Sequence, residues 1–369
     1  MRNLLLVLIL GTILIPTLLN AQEIKLSGEM WNRWTMENAK GFDGNDVTNK
    51  NYFSLERGYI GLETKFSEST KGRITVDIFS TDALKDGAGL KLKYAYVDFA
   101  NLMPVKDLTL TAGLQKVYFG TIYDWNYSLI GKAPSDEYKL ANSADYGVSL
   151  NGYLPNGLGE YALGVYNGEG YKSWGSNLKD NTEMAVLANL RLTPMPGVTV
   201  GGSYMMNSAE RDKKLSDGTV NPAFNEQALL DGVLRLAYGP LDFWAEYLSK
   251  DVQYQAINDA NNYTANALML MPILSLSQFL PADLQLIGRY DQWDETDNPA
   301  NKNLATAITA GVNYNFMHDE SANPALQLQL NYTSKSYVED ESAAAYADGK
   351  KDSNQLMLQL KWRFANTIK

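Results

Sequence analysis

The chain contains no cysteine and a single histidine. Without a thiol there is no disulfide, no thiolate metal site and no cysteine nucleophile, and one imidazole cannot form a histidine metal cluster. The usual general base of hydrolases is confined to His318, with only Asp319 beside it, which is too little for a catalytic assembly. No pair of carboxylates is singled out for glycoside chemistry either. The acidic runs Asp43-Gly44-Asn45-Asp46 and Glu339-Asp340-Glu341 lack an intact calcium-loop motif. The expectation is a protein that is not an enzyme and carries no metal or cofactor. Basic charge is also scarce: 32 Lys and Arg against 42 Asp and Glu leave a formal net charge of −10 in 369 residues, which excludes nucleic acid as a partner. Long apolar runs are missing beyond the N-terminus. The best later candidate, Leu268 to Leu280, is interrupted by Ser275, Ser277 and Gln278, so no membrane-spanning helix is expected.

What the chain does have is apolar and aromatic. Hydrophobic residues make up 45% and aromatic ones 11%, with 23 Tyr, 7 Trp and 29 Gly and only 20% charged residues, a balance that favours strands and turns over disorder. Residues Met1 to Ala21 place Arg2 before the apolar runs Leu4 to Leu10 and Ile13 to Ile15, and end on a small residue ahead of Gln22. This reads as a secretory signal peptide, removed from the mature protein.

The rest of the chain repeats one pattern. In Gln355 to Phe364, Leu356, Leu358, Leu360, Trp362 and Phe364 share one face while Gln355, Gln359, Lys361 and Arg363 share the other. Leu326, Leu328, Leu330 and Tyr332 alternate with Gln327, Gln329, Asn331 and Thr333, and Ile74, Val76 and Ile78 with Arg73, Thr75 and Asp77. Each is a strand with one wet and one apolar face, and such segments number roughly 16. The stretch Thr264 to Leu274 fits worst, because Met269, Leu270 and Met271 do not alternate and Pro272 lacks an N–H.

The connections alternate long and short. Glu37–Tyr52, Tyr118–Ala144, Tyr166–Thr182, Ser208–Glu226 and Lys335–Ser353 are long, whereas Ser67–Gly72, Pro194–Gly197 and Gly239–Pro240 are tight. A secreted two-sheet sandwich also alternates, but it has no reason to gather its long loops at one end. Its apolar face would also not end repeatedly in aromatics, as Trp34, Tyr94, Tyr204, Tyr238, Tyr247, Tyr332 and Trp362 do here. The pattern predicts an all-β fold, a transmembrane antiparallel β-barrel of about 16 strands with short periplasmic turns and long external loops. Its expected extent is residues 22–364, followed by a C-terminal tail at 365–369.

If lipid faces the apolar positions, the alternate positions line a pore. They supply Arg33, Arg57, Arg73, Arg191, Arg235, Arg289, Lys361 and Arg363, against Glu29, Glu63, Asp77, Asp98, Glu183, Asp231, Asp242, Glu246 and Asp291. The wall candidates are Arg33, Arg57, Arg73, Arg289 and Arg363, read as a basic stripe facing an acidic one. A barrel of about 16 strands leaves an aqueous channel unless something narrows it. The segment Tyr118 to Ala144 is the natural candidate, so Asp124, Lys132, Asp136 and Glu137, with Lys116 just before it, are expected at the constriction.

At this point several segments together resemble outer-membrane porins of the phosphate-selective porin O and P family. They are Arg57-Gly58-Tyr59-Ile60-Gly61-Leu62, Tyr94-Ala95-Tyr96-Val97-Asp98-Phe99, Ala112-Gly113-Leu114-Gln115-Lys116 with Phe119-Gly120, and Ser143-Ala144-Asp145-Tyr146-Gly147-Val148. Further segments are Tyr166-Asn167-Gly168-Glu169-Gly170-Tyr171, Arg289-Tyr290-Asp291 and Gln359-Leu360-Lys361-Trp362-Arg363-Phe364. The resemblance implies a homotrimer of barrels in outer-membrane lipid and lipopolysaccharide, each with an inwardly folded third loop, passing small hydrophilic solutes or ions. Phosphate-specific members carry a dense array of pore arginines and lysines, whereas this chain has nine Arg in all. The reading is a passive diffusion channel of the bacterial outer membrane, anions among its candidate solutes. A channel selective for sugars or carboxylates and a non-channel structural or adhesin barrel are the alternatives.

Overall fold

A computed structural model describes residues 23–40, 46–80, 88–102, 105–173, 183–208, 214–215, 217–222, 224–254, 262–297, 304–337 and 352–368. The segment read as a signal peptide lies outside them, as do residues 43–45 and 339–341 of the two acidic runs. The strands are β1 (Glu23–Lys40), β2 (Asp46–Lys65), β3 (Thr70–Ser80), β4 (Ala88–Ala100), β5 (Leu108–Lys116), β6 (Ala144–Leu154), β7 (Gly159–Tyr166) and β8 (Ala185–Met195). They continue with β9 (Val198–Ser208), β10 (Asn225–Tyr238), β11 (Leu241–Tyr254), β12 (Tyr263–Ser275), β13 (Leu284–Asp294), β14 (Ala305–His318), β15 (Pro324–Tyr337) and β16 (Ser353–Ile368). One short helix, α1 (Pro134–Glu137), sits in the long connection between β5 and β6.

Every strand pairs with its sequence neighbours, and β1 pairs antiparallel with β16 from Ile24↔Ile368 to Ala39↔Ser353, so the sheet closes into a barrel. Closure gives every strand a partner on both sides and leaves no edge strand, the condition for strands to cross hydrocarbon. Alternation sorts the side chains. On β8, Ala185, Leu187, Asn189 and Arg191 point inward and are buried, while Val186, Leu190 and Leu192 are exposed on the outside. Leu62, Ile74, Leu163, Ile308 and Leu330 extend this outer apolar belt, with Tyr204, Tyr238, Tyr247, Tyr332 and Trp362 also on it. One end of the barrel carries the tight turns, such as Gly239-Pro240 between β10 and β11, where Gly239 has φ 56.

Four features depart from the sequence reading. First, β1 and β2 run well past the expected strand ends and pair as far as Lys40↔Asp46, because polar residues can continue a ladder that has left the bilayer. Second, residues 365–368 are not a tail: β16 runs on through them, and Ala365 pairs with Ser27. Third, Tyr94 is not on the lipid face. Tyr94 faces the lumen in step with Tyr96 and Asp98, and a bulge between Thr75↔Tyr94 and Val76↔Leu92, which leaves Lys93 without a partner in the ladder, turns Lys93 inward beside it. The extra residue reverses the alternation. Fourth, β12 fails to alternate because both of its faces are apolar. Met269, Met271 and Ile273 point inward, where Leu129 covers them.

Candidate pore constriction

The connection between β5 and β6 folds into the lumen, and its composition explains why. Val117, Phe119, Ile122 and Ala133 form a buried cluster with inward-facing Ala185, Leu187, Met205, Leu229, Leu248, Ala267, Ala305 and Ala307 of the β8–β14 wall. Leu129 packs on Met269, Met271, Ile273 and Ile287. Each large apolar side chain taken out of water in this way contributes about 1.5–3 kcal/mol. Tyr138, just after α1, stacks on Trp293 at 4.5 Å with the rings 19° apart. This third loop therefore has an apolar side, and that side is held against one half of the barrel wall.

Polar anchors fix its path. Gly120 N donates to Ser203 Oγ at 2.9 Å, and Thr121 donates to the Glu246 carboxylate through its N at 3.0 Å and its Oγ1 at 2.5 Å. Arg191 donates to Asp124 Oδ2 at 2.6 Å and also to Gly120 O. Across the lumen, Lys361 Nζ donates to Asn126 O at 3.3 Å, Gln329 Nε2 to Tyr127 O at 3.0 Å, and Asn313 Nδ2 to Ser128 O. Arg289, paired with Asp291 at 2.6 Å, donates to Lys132 O at 2.7 Å. Backbone carbonyls bonded to wall side chains on several strands fix the loop's height and register. Gly120 is required in this arrangement: its φ is +51, and a Cβ there would lie 2.4 Å from Glu246 Oε1.

Tyr127 is the tip. It adopts the left-handed conformation at φ 53, packs edge-on against Trp31 with ring centroids 4.5 Å apart, and its Oη accepts from Arg57 Nη1 at 3.1 Å. Burial pushes its phenol up to about 12, so at neutral pH it is uncharged. The Arg57 guanidinium lies 5.4 Å from the rings of both Trp31 and Tyr59.

The loop separates two cavities, and Tyr127 lines both. The upper one, of about 400 Å³, opens toward the long loops and gathers Arg33, Arg57, Lys132, Glu137 and Arg289 among the expected residues. The lower one, of about 360 Å³, opens toward the tight turns and gathers Arg73, Lys116 and Arg363. Asp124 instead ties the loop to Arg191, and Asp136 sits in the first turn of α1. The arginines do not face an acidic stripe across open lumen. Carboxylates are interleaved with them: Arg33 pairs with Glu56 at 3.1 Å, Arg73 with Glu63 at 3.6 Å and Arg363 with Asp319 at 3.2 Å. The opposite acids, Asp231 and Glu246, are buried beneath the loop.

Sequence reasoning missed Lys91 and Lys93. With Asp98 inward, simple alternation sends both outward; the bulge turns them in, so that Lys91 Nζ lies 3.8 Å from the Phe79 ring centroid and Lys93 Nζ lies 4.1 Å from that of Tyr171. No local signal in the sequence marks that bulge. It also missed the lumenal aromatics Trp31, Tyr59 and Tyr94. The alternation that puts Arg57 and Asp98 inside carries Tyr59 and Tyr94 with them, and that signal was legible.

A closed barrel with an apolar outer belt, a polar interior and an inward loop defines an outer-membrane porin barrel. Within that class, residues 236–362 match the model of the family described as Phosphate-selective porin O and P, the family that the chain's motifs resemble. The solved structures similar to the chain agree on the fold. OmpT of Vibrio cholerae, in a trimer form, has TM-score 0.63 at 12% identity, covering 94% of this chain and 100% of its own. The outer membrane channel DcaP of Acinetobacter baumannii has TM-score 0.63 at 13% identity, covering 93% and 97%. An anion-selective porin from Comamonas acidovorans has TM-score 0.62 at 10% identity, covering 93% and 100%. Comparison with curated protein sequences finds no match.

Proposed function

We propose that this protein is a passive diffusion channel of the bacterial outer membrane with a mild preference for small hydrophilic anions. One observation carries the reading. The chain bears a formal charge of −10, yet the walls of both cavities beside the third loop carry more cations than carboxylates. The upper cavity has Arg33, Arg57, Lys132, Arg289 and Lys335 against Glu37, Glu56, Glu137 and Asp291. The lower has Lys25, Arg73, Lys93, Lys116 and Arg363 against Glu29, Glu63 and Asp319. Between low-dielectric walls such an excess raises the local concentration of anions.

Removal of residues 1–21 on export leaves one barrel domain, its outer belt in contact with lipid and lipopolysaccharide. The barrels it resembles include one in a trimer form and one described as anion-selective, which supports a homotrimer and the sign of the preference. The protein performs no catalysis in this reading; the family match and two of the barrels it resembles are described as porins or channels. Reversal potential of the refolded protein in a planar bilayer under a potassium chloride gradient tests it. A potential of the sign set by chloride is expected, and one set by potassium overturns the anion preference.

A further inference from the structure

We propose that the lower cavity is a binding site for a small aromatic carboxylate, a monoanion carried on a planar ring. This rests on the reading of the lumen as a solute path and names the solute class that the path retains.

The carboxylates lining this cavity are already engaged. Glu63 lies 3.6 Å from Arg73, Asp319 lies 3.2 Å from Arg363, and Glu29 accepts from Trp31 Nε1 at 2.7 Å and lies 3.7 Å from Lys361. Of the three lysines on this wall Lys25 is exposed to solvent, which leaves Lys93 and Lys116. Lys93, only 4% exposed, donates to Ser143 Oγ and forms no ion pair within 4 Å among the described residues; of the two carboxylates whose charge reaches it, Asp136 and Asp77, the second is shared with Arg57. Lys116, at the end of β5, has no side-chain acceptor and no ion pair among the described residues. A buried ammonium with N–H donors to spare is costly until an anion completes it.

The rest of the wall is aromatic: Tyr59, Tyr94, Tyr123, Trp125 and Tyr127 line the same cavity. Edge-to-face or offset contacts with a ligand ring add about 0.5–1.5 kcal/mol each beyond the area they bury. Phosphate is served best by planar guanidinium forks that meet several oxygens. Of the nearby guanidiniums, Arg73 is committed to Glu63 and the Tyr94 ring and Arg57 to Tyr127, while Arg363 lies against Asp319 with its Nε lacking an acceptor. What remains is two point charges and a single guanidinium edge at Arg363, not a set of forks, beside a group of rings, the chemistry of a benzoate-like monoanion. A volume of about 360 Å³ accommodates one.

The test uses the full refolded protein, its folding verified by heat-modifiable migration. Benzoate, cyclohexanecarboxylate and inorganic phosphate are compared by single-channel block and, independently of conduction, by titration calorimetry in detergent. Benzoate is expected to bind and block, with the other two at least about tenfold weaker. The double variant Lys93→Met with Lys116→Met is expected to weaken benzoate about tenfold or more. Tyr94→Leu, which keeps both charges, is expected to erase the preference for benzoate over its saturated analogue. Equal binding of benzoate and cyclohexanecarboxylate, or phosphate binding as tightly as benzoate, overturns the proposal. A conducting channel with neither block nor heat from benzoate also overturns it and leaves the channel reading standing. Heat from benzoate in a barrel that does not conduct supports the site and overturns the channel.

Discussion

Replacing Arg73 by glutamate isolates the electrostatic part of the account. Arg73 stands on the wall of the lower cavity with its side chain 30% exposed, and it donates to Thr75 but to no residue of the third loop. The change therefore reverses a wall charge without cutting a loop anchor, which Arg57→Glu would do through Tyr127. An ion passing about 7 Å away feels about 0.6 kcal/mol per unit charge in water, so a two-unit change is worth about 1.2 kcal/mol. At about 0.1 M salt the Debye length of about 10 Å halves this to about 0.6 kcal/mol, or about 2.7-fold for each ion. Anions lose and cations gain by that factor, so the chloride-to-potassium permeability ratio should fall about sevenfold. Reversal potentials in a tenfold salt gradient measure it, and the effect should shrink at 1 M salt. A ratio that does not change at low salt refutes the placement of Arg73 on the ion path.

Other consequences follow from the loop and the bulge. Asn313→Ala with Gln329→Ala removes the wall hydrogen bonds to the Tyr127 and Ser128 carbonyls, at about 1 kcal/mol per hydrogen bond; open-channel noise and mean conductance should both rise, and unchanged traces would contradict the anchoring role. Gly120→Ala forces a methyl group against Glu246 at a left-handed φ, costing about 1–3 kcal/mol. The unfolding temperature of the detergent-solubilised barrel should drop relative to Gly157→Ala, which meets no neighbour within 4 Å and controls for left-handed backbone strain. Because the chain has no native cysteine, single cysteines at positions 91, 93 and 94 should react with a membrane-impermeant thiol reagent and one at 92 should not. Labelling at 92 and not at 93 would place the bulge elsewhere.

Strands such as β15 and β16 were legible because their two faces meet different solvents, water inside and lipid outside, and Gln327–Thr333 and Gln355–Phe364 record that difference residue by residue. Where the inner solvent is replaced by protein, the record fades. β12 is apolar on both sides because the third loop covers Met269, Met271 and Ile273. The loop itself was legible from its length and its mixture of charged and aromatic residues, but the division of labour within it was not. Asp124 reads as a pore charge and serves as an anchor, since only the folded wall reveals Arg191 as its partner. Lys91 and Lys93 were hidden by a single inserted residue that reverses the faces of β4. The pair Asp231 and Glu246 reads as an exposed acidic wall and proves to be the buried seat of Gly120 and Thr121. In each case the missing information is long-range: which strand lies opposite, and in what register.

The central claim is that the inward third loop leaves a water-filled, net-cationic path through the barrel. Single-channel recording of the refolded mature protein in a planar bilayer under a salt gradient tests it most directly. The account predicts discrete conductance steps, grouped in threes, with a reversal potential on the chloride side. Folded protein that inserts without conducting, or that conducts with potassium preferred, would contradict it.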